Sequence, residues 1–373
     1  MLQKQCEKFQ FCYLLRNALK FEDDKYNSSK FAGIIGFLVS EISLGVNRIL
    51  KPFNPILGET FEYFDNELKF RFLAEQVSHF PPISAYICES EEFVVFGDTK
   101  YKSKFKIMKG AMEIIFNGPI TILFKKLNKR FTFKLPTMYL KGLIMGTPHF
   151  DYDGVVEITM HGNGNKTQKA IIEFFEEGRK SKPLGHVEGK ILDEKEHPIY
   201  YLKGNWNYGL YLIEAEGKDI NIIKNLDIKN ITKTGEGLKI TEIWVTNQDE
   251  EYLKKFDINN YKISKYACNL NYLTNELKTV LPISDSRLRP DQILLESQHI
   301  ELAEKEKKRL EELQRERHKE LEVNKIKYEP CYFSEVLDEF TKEHIYLYKG
   351  GYWEDRQKNN YSKTSNIFGL INY

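Results

Sequence analysis

Lys307, Glu311 and Arg315 recur at i, i+4 and i+8, so a helix containing them carries all three on one face. Lys51 and Asn54 belong to Lys51-Pro52-Phe53-Asn54-Pro55, a turn stiffened by two prolines. His79 is followed, after Phe80, by Pro81 and Pro82, which stiffen the backbone that carries its imidazole. Ammonium, guanidinium, amide and imidazole groups on stiff backbone offer donors and charge, the chemistry of binding. Nucleophilic catalysis has no such support: Ser78 and His79 are chain neighbours, and no nucleophile–base pair is evident. Spacing alone leaves a plainer reading open. At 100° per residue, the Lys307–Glu311–Arg315 row points about 130° away from Leu302, Leu310, Leu313 and Leu321. Such a row opposite a leucine stripe is commonly a solvated face with weak ion pairs.

Other motifs carry less. There is no GxSxG, HExxH or Walker A sequence. Gly162-Asn163-Gly164-Asn165-Lys166-Thr167 looks superficially like a phosphate loop. It lacks the glycine directly before its lysine, and strand-like stretches flank it, so a hairpin turn is expected. His149, His161, His186 and His197 are dispersed without ligand spacing, and neither a metal nor a cofactor is expected. Glu173-Phe174-Phe175-Glu176 has some likeness to a short acidic FF receptor-binding motif, but it sits in an alternating stretch and reads as strand. Cys6, Cys12, Cys88, Cys268 and Cys331 are odd in number and form no CxxC, which suits a reducing cytosol better than a disulfide framework.

The elements that must position these residues are legible in outline. Phe11, Leu14, Leu15, Ala18 and Leu19 have helical spacing, and 31–50 is a second apolar, partly periodic stretch. From 60 to 215 the chain reads as many short strands. Segments 68–72, 101–107 and 130–135 alternate; 111–116 and 120–124 flank the turn signal Asn117-Gly118-Pro119; 169–175 follows the glycine-rich turn. Short strands at this spacing argue for an antiparallel sandwich or barrel, and a large closed barrel encloses a cavity. Residues 216–280 are mixed. Beyond Pro290, the charged run 294–323 predicts one long amphipathic helix with the four leucines on its apolar side. Tyr346, Tyr348, Tyr352 and Trp353 are expected to pack over the barrel. No internal repeat or Gly/Ser-rich linker interrupts the chain, so one continuous domain is expected.

Composition sets the bounds. The 373 residues are 41% hydrophobic and 29% charged, which excludes wholesale disorder and a fibrous repeat. Fifty-five basic against 54 acidic residues leave a formal charge of +1, which argues against a dedicated nucleic-acid binder. Aromatics reach 13%, with 25 Phe and 22 Tyr, a content suited to strands and apolar cavities. The longest apolar run, 31–39, falls short of the roughly 20 residues that span a bilayer. Glu7 and the glutamines near the N-terminus leave no signal-peptide core.

Three segments together resemble the signatures of the oxysterol-binding protein family. They are Lys51-Pro52-Phe53-Asn54-Pro55-Ile56-Leu57-Gly58-Glu59, Glu75-Gln76-Val77-Ser78-His79-Phe80-Pro81-Pro82, and Asp285-Ser286-Arg287-Leu288-Arg289-Pro290-Asp291 followed by Lys307, Glu311 and Arg315. The family fingerprint has a second histidine where this chain has Phe80. The likeness runs from about residue 9 to the end. It implies a mainly β fold with α: an incomplete antiparallel β-barrel enclosing a lipid tunnel, with an N-terminal lid and a C-terminal helical subdomain. Its parts would be 1–50 (lid and N-terminal helices), 51–245 (barrel) and 246–373 (helical subdomain). It implies a cytosolic, non-enzymatic carrier of a sterol or phosphatidylserine that exchanges cargo with phosphatidylinositol 4-phosphate and touches membranes transiently. By the same resemblance, Lys51 and Asn54 would contact the lipid headgroup and His79 the 4-phosphate. Lys307 and Arg315 would hold phosphates, and Glu311 an inositol hydroxyl or the neighbouring bases. The lid would be residues 1–30.

Overall fold

The computed structural model describes residues 1–20, 26–45, 53–162, 167–214, 220–224, 226, 237–246 and 264–370. In chain order the described elements begin with helices α1 (Leu2–Glu7), α2 (Tyr13–Leu19) and α3 (Ser28–Ser43). Strands follow: β1 (Thr60–Asp65), β2 (Phe70–His79), β3 (Pro82–Ser90), β4 (Phe93–Asp98), β5 (Tyr101–Lys106), β6 (Ala111–Phe116), β7 (Ile120–Phe124), β8 (Lys129–Phe133), β9 (Thr137–Lys141), β10 (His149–His161), β11 (Thr167–Phe174), β12 (His186–Leu192), β13 (Pro198–Asn205) and β14 (Gly209–Glu214). Helix α4 (Ile220–Lys224) and β15 (Ile240–Val245) come next, then α5 (Lys265–Leu270), α6 (Asn275–Val280), α7 (Pro290–Glu296) and α8 (Ile300–Val323). A hairpin, β16 (Phe333–Leu337) and β17 (His344–Tyr348), and α9 (Tyr352–Lys358) complete the chain. The contacts divide these elements into two compact units, one of residues 1–7, 51–100 and 265–373, the other of residues 8–50 and 101–264.

In the first unit β1 to β4 form an antiparallel meander. The register of β2 against β3 shifts between Gln76 and Ser78, a bulge that re-aims the end of β2, where His79 stands. One face of the meander buries Leu73, Val77, Ile83, Ala85 and Ile87 beneath Tyr332, Phe333 and Tyr352, with Tyr346, Tyr348 and Trp353 packed at the margin. The aromatic C-terminus thus covers strands, and it includes the β16–β17 hairpin as well as helices. Helix α1 is held here too: Leu2 and Cys6 are buried, and Gln3 Nε2 donates to Asn271 Oδ1 at 2.5 Å.

In the second unit β7, β8 and β10 to β15 pair antiparallel, and β5, β6 and β9 extend the sheet from the first half of β10. The pairing of β10 with β11 (His161↔Thr167, Met160↔Gln168) makes the expected hairpin around the glycine-rich run, whose residues 163–166 lie outside the described residues. Phe174 and Phe175 are buried, so the FF pair belongs to the interior. Helix α3 is apolar nearly all round, the pattern of a helix enclosed on every side. Phe31 meets Phe131 of β8 edge-on at 5.3 Å, while a Cβ on Gly36 would stand 2.9 Å from Ile243 of β15. One helix reaching strands so far apart in the sheet order requires the sheet to curl around it. Gly33 allows α2 to approach, since a Cβ there would sit 2.5 Å from Ala18 Cβ. Phe9, Cys12, Leu14 and Leu15 are buried with it, so the apolar side of residues 8–20 is already occupied.

Two sequence expectations need correction. The predicted helix over 294–323 is two helices, separated at residues 297–299, where Gln298 has φ +63° and breaks the backbone hydrogen-bond ladder. Leu302 is not part of the buried stripe: it is half exposed, and Ala303 takes the inward position beside Leu310. Among the described residues, no helix is long and apolar enough to cross a membrane.

Candidate functional site

The first and third signature segments interlock, and most of their charged residues are structural. Glu59 is buried; it accepts from Ile56 N–H at 2.9 Å, Ser286 Oγ at 2.6 Å and Arg289 Nη1 at 3.0 Å. Arg289 grips Asp291 through two bonds of 2.8 and 2.9 Å and donates to the Asn54 carbonyl at 2.7 Å. Arg287 grips Asp285 in the same bidentate way, at 2.8 and 2.9 Å, and donates to the Glu62 carbonyl at 3.0 Å. Gly58 has φ +83°, and a Cβ there would stand 3.0 Å from the Tyr328 hydroxyl, so glycine suits both the turn and the space. Buried ions are tolerated only with such complete pairing. The product is a rigid platform under residues 53–57.

Helix α8 docks on that platform. Leu310 packs with Ile56, Ile367 and Phe368. Arg309 donates to the Phe368 carbonyl at 2.7 Å, and Arg317 to the Ile367 and Asn366 carbonyls at 2.7 and 2.8 Å. These two arginines fasten the C-terminal segment. Lys307 instead lies over the Phe53 ring at 5.5 Å, a ring that Arg289 also faces at 5.5 Å. Arg315 Nη2 is 3.7 Å from Glu311, with both side chains exposed.

Gln314 joins α8 to the end of β2. Leu57 N–H donates to Gln314 Oε1 at 2.8 Å, which turns the amide so that its Nε2 faces His79 Nε2 at 3.1 Å. An amide nitrogen only donates, so His79 Nε2 accepts and the neutral ring carries its proton on Nδ1. Burial lowers the His79 pKa from its ordinary 6.5, and the nearby His318 lowers it further. Phe80 is 70% exposed, and its ring lies between those of His79, at 4.3 Å, and His318, at 5.4 Å.

Of the expected residues, Asn54, His79 and Lys307 therefore lie on or beside the platform, and Glu311 and Arg315 follow on α8. Lys51 lies outside the described residues. Sequence reasoning missed Gln314 and His318. At 100° per residue they fall within about 20° of Lys307 on the helix wheel, whereas Glu311 and Arg315 fall about 40° and 80° away. That alignment was readable; a glutamine and a histidine simply did not stand out in a search for charges. Glu75 and Gln76 are not part of this surface. Glu75 accepts from Cys331 and Tyr332 N–H at 2.6 and 2.9 Å, and its burial pushes the carboxyl up to about 7. Among the described residues, no cluster of His, Cys, Asp and Glu could hold a metal ion.

A large antiparallel sheet around an apolar helix, and a rigid platform of paired buried ions at the end of one strand, are features of a binding fold. The sequence profile of the oxysterol-binding protein family matches residues 1–357, and the chain belongs to that family. It is 30% identical over 99% of its length to oxysterol-binding protein homolog 1 of Saccharomyces cerevisiae, and 31% identical over 97% to human oxysterol-binding protein-related protein 6. It spans 30% and 35%, respectively, of the length of those two relatives. Among solved structures, the Osh1 ORD domain in complex with cholesterol superposes with a TM-score of 0.81 at 30% identity, covering 96% of this chain and 82% of that one. The Osh3 ORD in complex with PI(4)P from Saccharomyces cerevisiae gives 0.76 at 28% identity, covering 98% and 87%. The fold is accordingly the large, unclosed antiparallel sheet with helices of these domains, an incomplete barrel.

Proposed function

We propose that this chain is a non-catalytic lipid carrier. It holds one sterol or phospholipid in an apolar barrel and exchanges it for phosphatidylinositol 4-phosphate between membranes that it visits transiently from the cytosol. The observation that carries this reading is the convergence of His79, through Gln314, with the Lys307-bearing face of α8 on one buried ionic platform. A similar domain was solved with cholesterol and another with PI(4)P, the two classes of cargo that such exchange requires. Lys51, Asn54 and His79 would meet the headgroup, Lys307 and Arg315 its phosphates, and Glu311 an inositol hydroxyl. Each charge-assisted bond contributes about 1.5–3 kcal/mol.

Extraction from liposomes tests the assignment. Lys307→Ala and Arg315→Ala should each weaken phosphatidylinositol 4-phosphate extraction about 10- to 150-fold while sterol uptake persists. Equal loss of both cargoes from a folded variant would remove these roles. A second reading, a lipid sensor or scaffold with altered headgroup choice, is favoured by Phe80, which presents a phenyl ring where the family fingerprint has an imidazole. Donor-to-acceptor liposome transfer separates the two, since only a carrier moves lipid. Incubation with candidate lipids, followed by mass spectrometry, would expose an enzyme by a new product.

A further inference from the structure

In the second unit two loops project together. Residues 107–110 join β5 to β6, and residues 142–148 join β9 to β10. The pairing Met112↔Leu140 sets them side by side, and a Cβ on Gly110 would touch Ile144 at 3.5 Å. The second loop closes tightly on itself: Gly142 has φ +73°, and a Cβ there would come within 2.4 Å of the Thr147 carbonyl. Its tip is therefore held out as a preformed knob. On these two tips Ile107 is 80% exposed, Met108 102%, Ile144 63% and Met145 86%. Four large apolar side chains bared at one point are an interaction surface, not scattered surface residues.

The flanking charge says what covers it. Residues 101–110, Tyr-Lys-Ser-Lys-Phe-Lys-Ile-Met-Lys-Gly, contain four lysines and no acid, and 141–149 add Lys141 and again no acid. Lys106 is paired with Glu113, Lys109 with Glu176, and Lys141 with Asp151. Lys104 stands opposite Glu113, whose carboxylate Lys106 already holds, and Lys102 stands opposite Ile115; both lysines are exposed. Lys104 stands about 10 Å along the strand from Ile107, close enough for its long side chain to snorkel to the level of phosphates when the tip is immersed.

We propose that this double-loop tip is a membrane-docking surface. Ile107, Met108, Ile144 and Met145 enter the acyl boundary of an anionic bilayer, and Lys102 and Lys104 engage its headgroup phosphates. The two bared methionines, Met108 and Met145, favour a bilayer over a protein groove, because their flexible side chains adapt to a fluid phase. The overall charge of +1 gives no general attraction to anionic lipid, so the attraction has to be local. This deepens the carrier reading by naming the surface that meets the membrane.

The test is sedimentation with vesicles of phosphatidylcholine plus phosphatidylglycerol, against phosphatidylcholine alone. Neither vesicle contains sterol or phosphoinositide, so loss of docking is read separately from loss of cargo binding. The Met108→Glu/Met145→Glu variant should lose about a hundredfold in partitioning. Lys102→Ala/Lys104→Ala should lose about fivefold per lysine on the anionic vesicles and little on the neutral ones. The emission of Met108→Trp should shift to the blue when anionic vesicles are added. Wild-type protein that fails to sediment, undiminished binding by the methionine variant, or an unshifted tryptophan overturns the proposal. So does a methionine variant that dissociates a dimer in vesicle-free light scattering, since the tip would then belong to a second copy.

Discussion

At the scale of the residue, Gln314 decides what His79 can do. With Nε2 occupied by the amide, the neutral imidazole has only its Nδ1–H to donate. Gln314→Leu should release the ring and weaken phosphatidylinositol 4-phosphate extraction about tenfold, with the His79 tautomer shift visible in nitrogen chemical shifts. Proton linkage follows from the same geometry. His79 titrates below its ordinary 6.5 in the free protein, because of burial first and His318 second. A phosphate bound beside it would raise that pKa, so the complex holds more protons than the free protein. Affinity should therefore tighten as pH falls from 8 to about 6.5, while the phosphate remains largely dianionic. His79→Gln should flatten that slope in extraction measured across the range. Phe80→His adds the imidazole that the family fingerprint has and this chain lacks, and should tighten extraction about tenfold or more.

At the scale of the element, the platform rests on Glu59. Glu59→Ala removes a buried partner from Arg289, Ser286 and the Ile56 amide at once. It should cost about 3–5 kcal/mol in urea unfolding. The β2 strand has its own marker in Glu75, whose carboxyl burial raises to about 7 from an ordinary 4.5. Between those values the folded state binds more protons than the unfolded one, so stability falls as pH rises from 4.5 to 7. The loss amounts to roughly 3 kcal/mol. Glu75→Gln should flatten that slope in unfolding curves taken across the same pH window.

At the scale of the whole molecule, a carrier should keep its cargo through purification. Protein purified gently should yield about one lipid per chain by mass spectrometry, as a single-cargo barrel requires. Much of the architecture behind this expectation was readable. Strands β6 and β7 fall on the residues that the turn Asn117-Gly118-Pro119 delimits, although they pair with different neighbours and make no hairpin. Helical spacing found α2, and the apolar run found α3. The single helix expected over 294–323 failed at Gln298, because a left-handed φ at a non-glycine residue carries no sequence signature.

Local chemistry, read along the chain, determined the strand-rich class, the turn positions, the family and the row Lys307, Glu311, Arg315. Only the tertiary structure separated the cations that fasten the protein from those proposed to meet a headgroup. Arg287, Arg289, Arg309 and Arg317 are bound to carboxylates or carbonyls, while Lys307 lies over an aromatic ring. A sequence records which groups can donate. Which donors are already satisfied depends on partners brought together across more than two hundred residues, as Arg289 is brought to Glu59, and only folding supplies those distances.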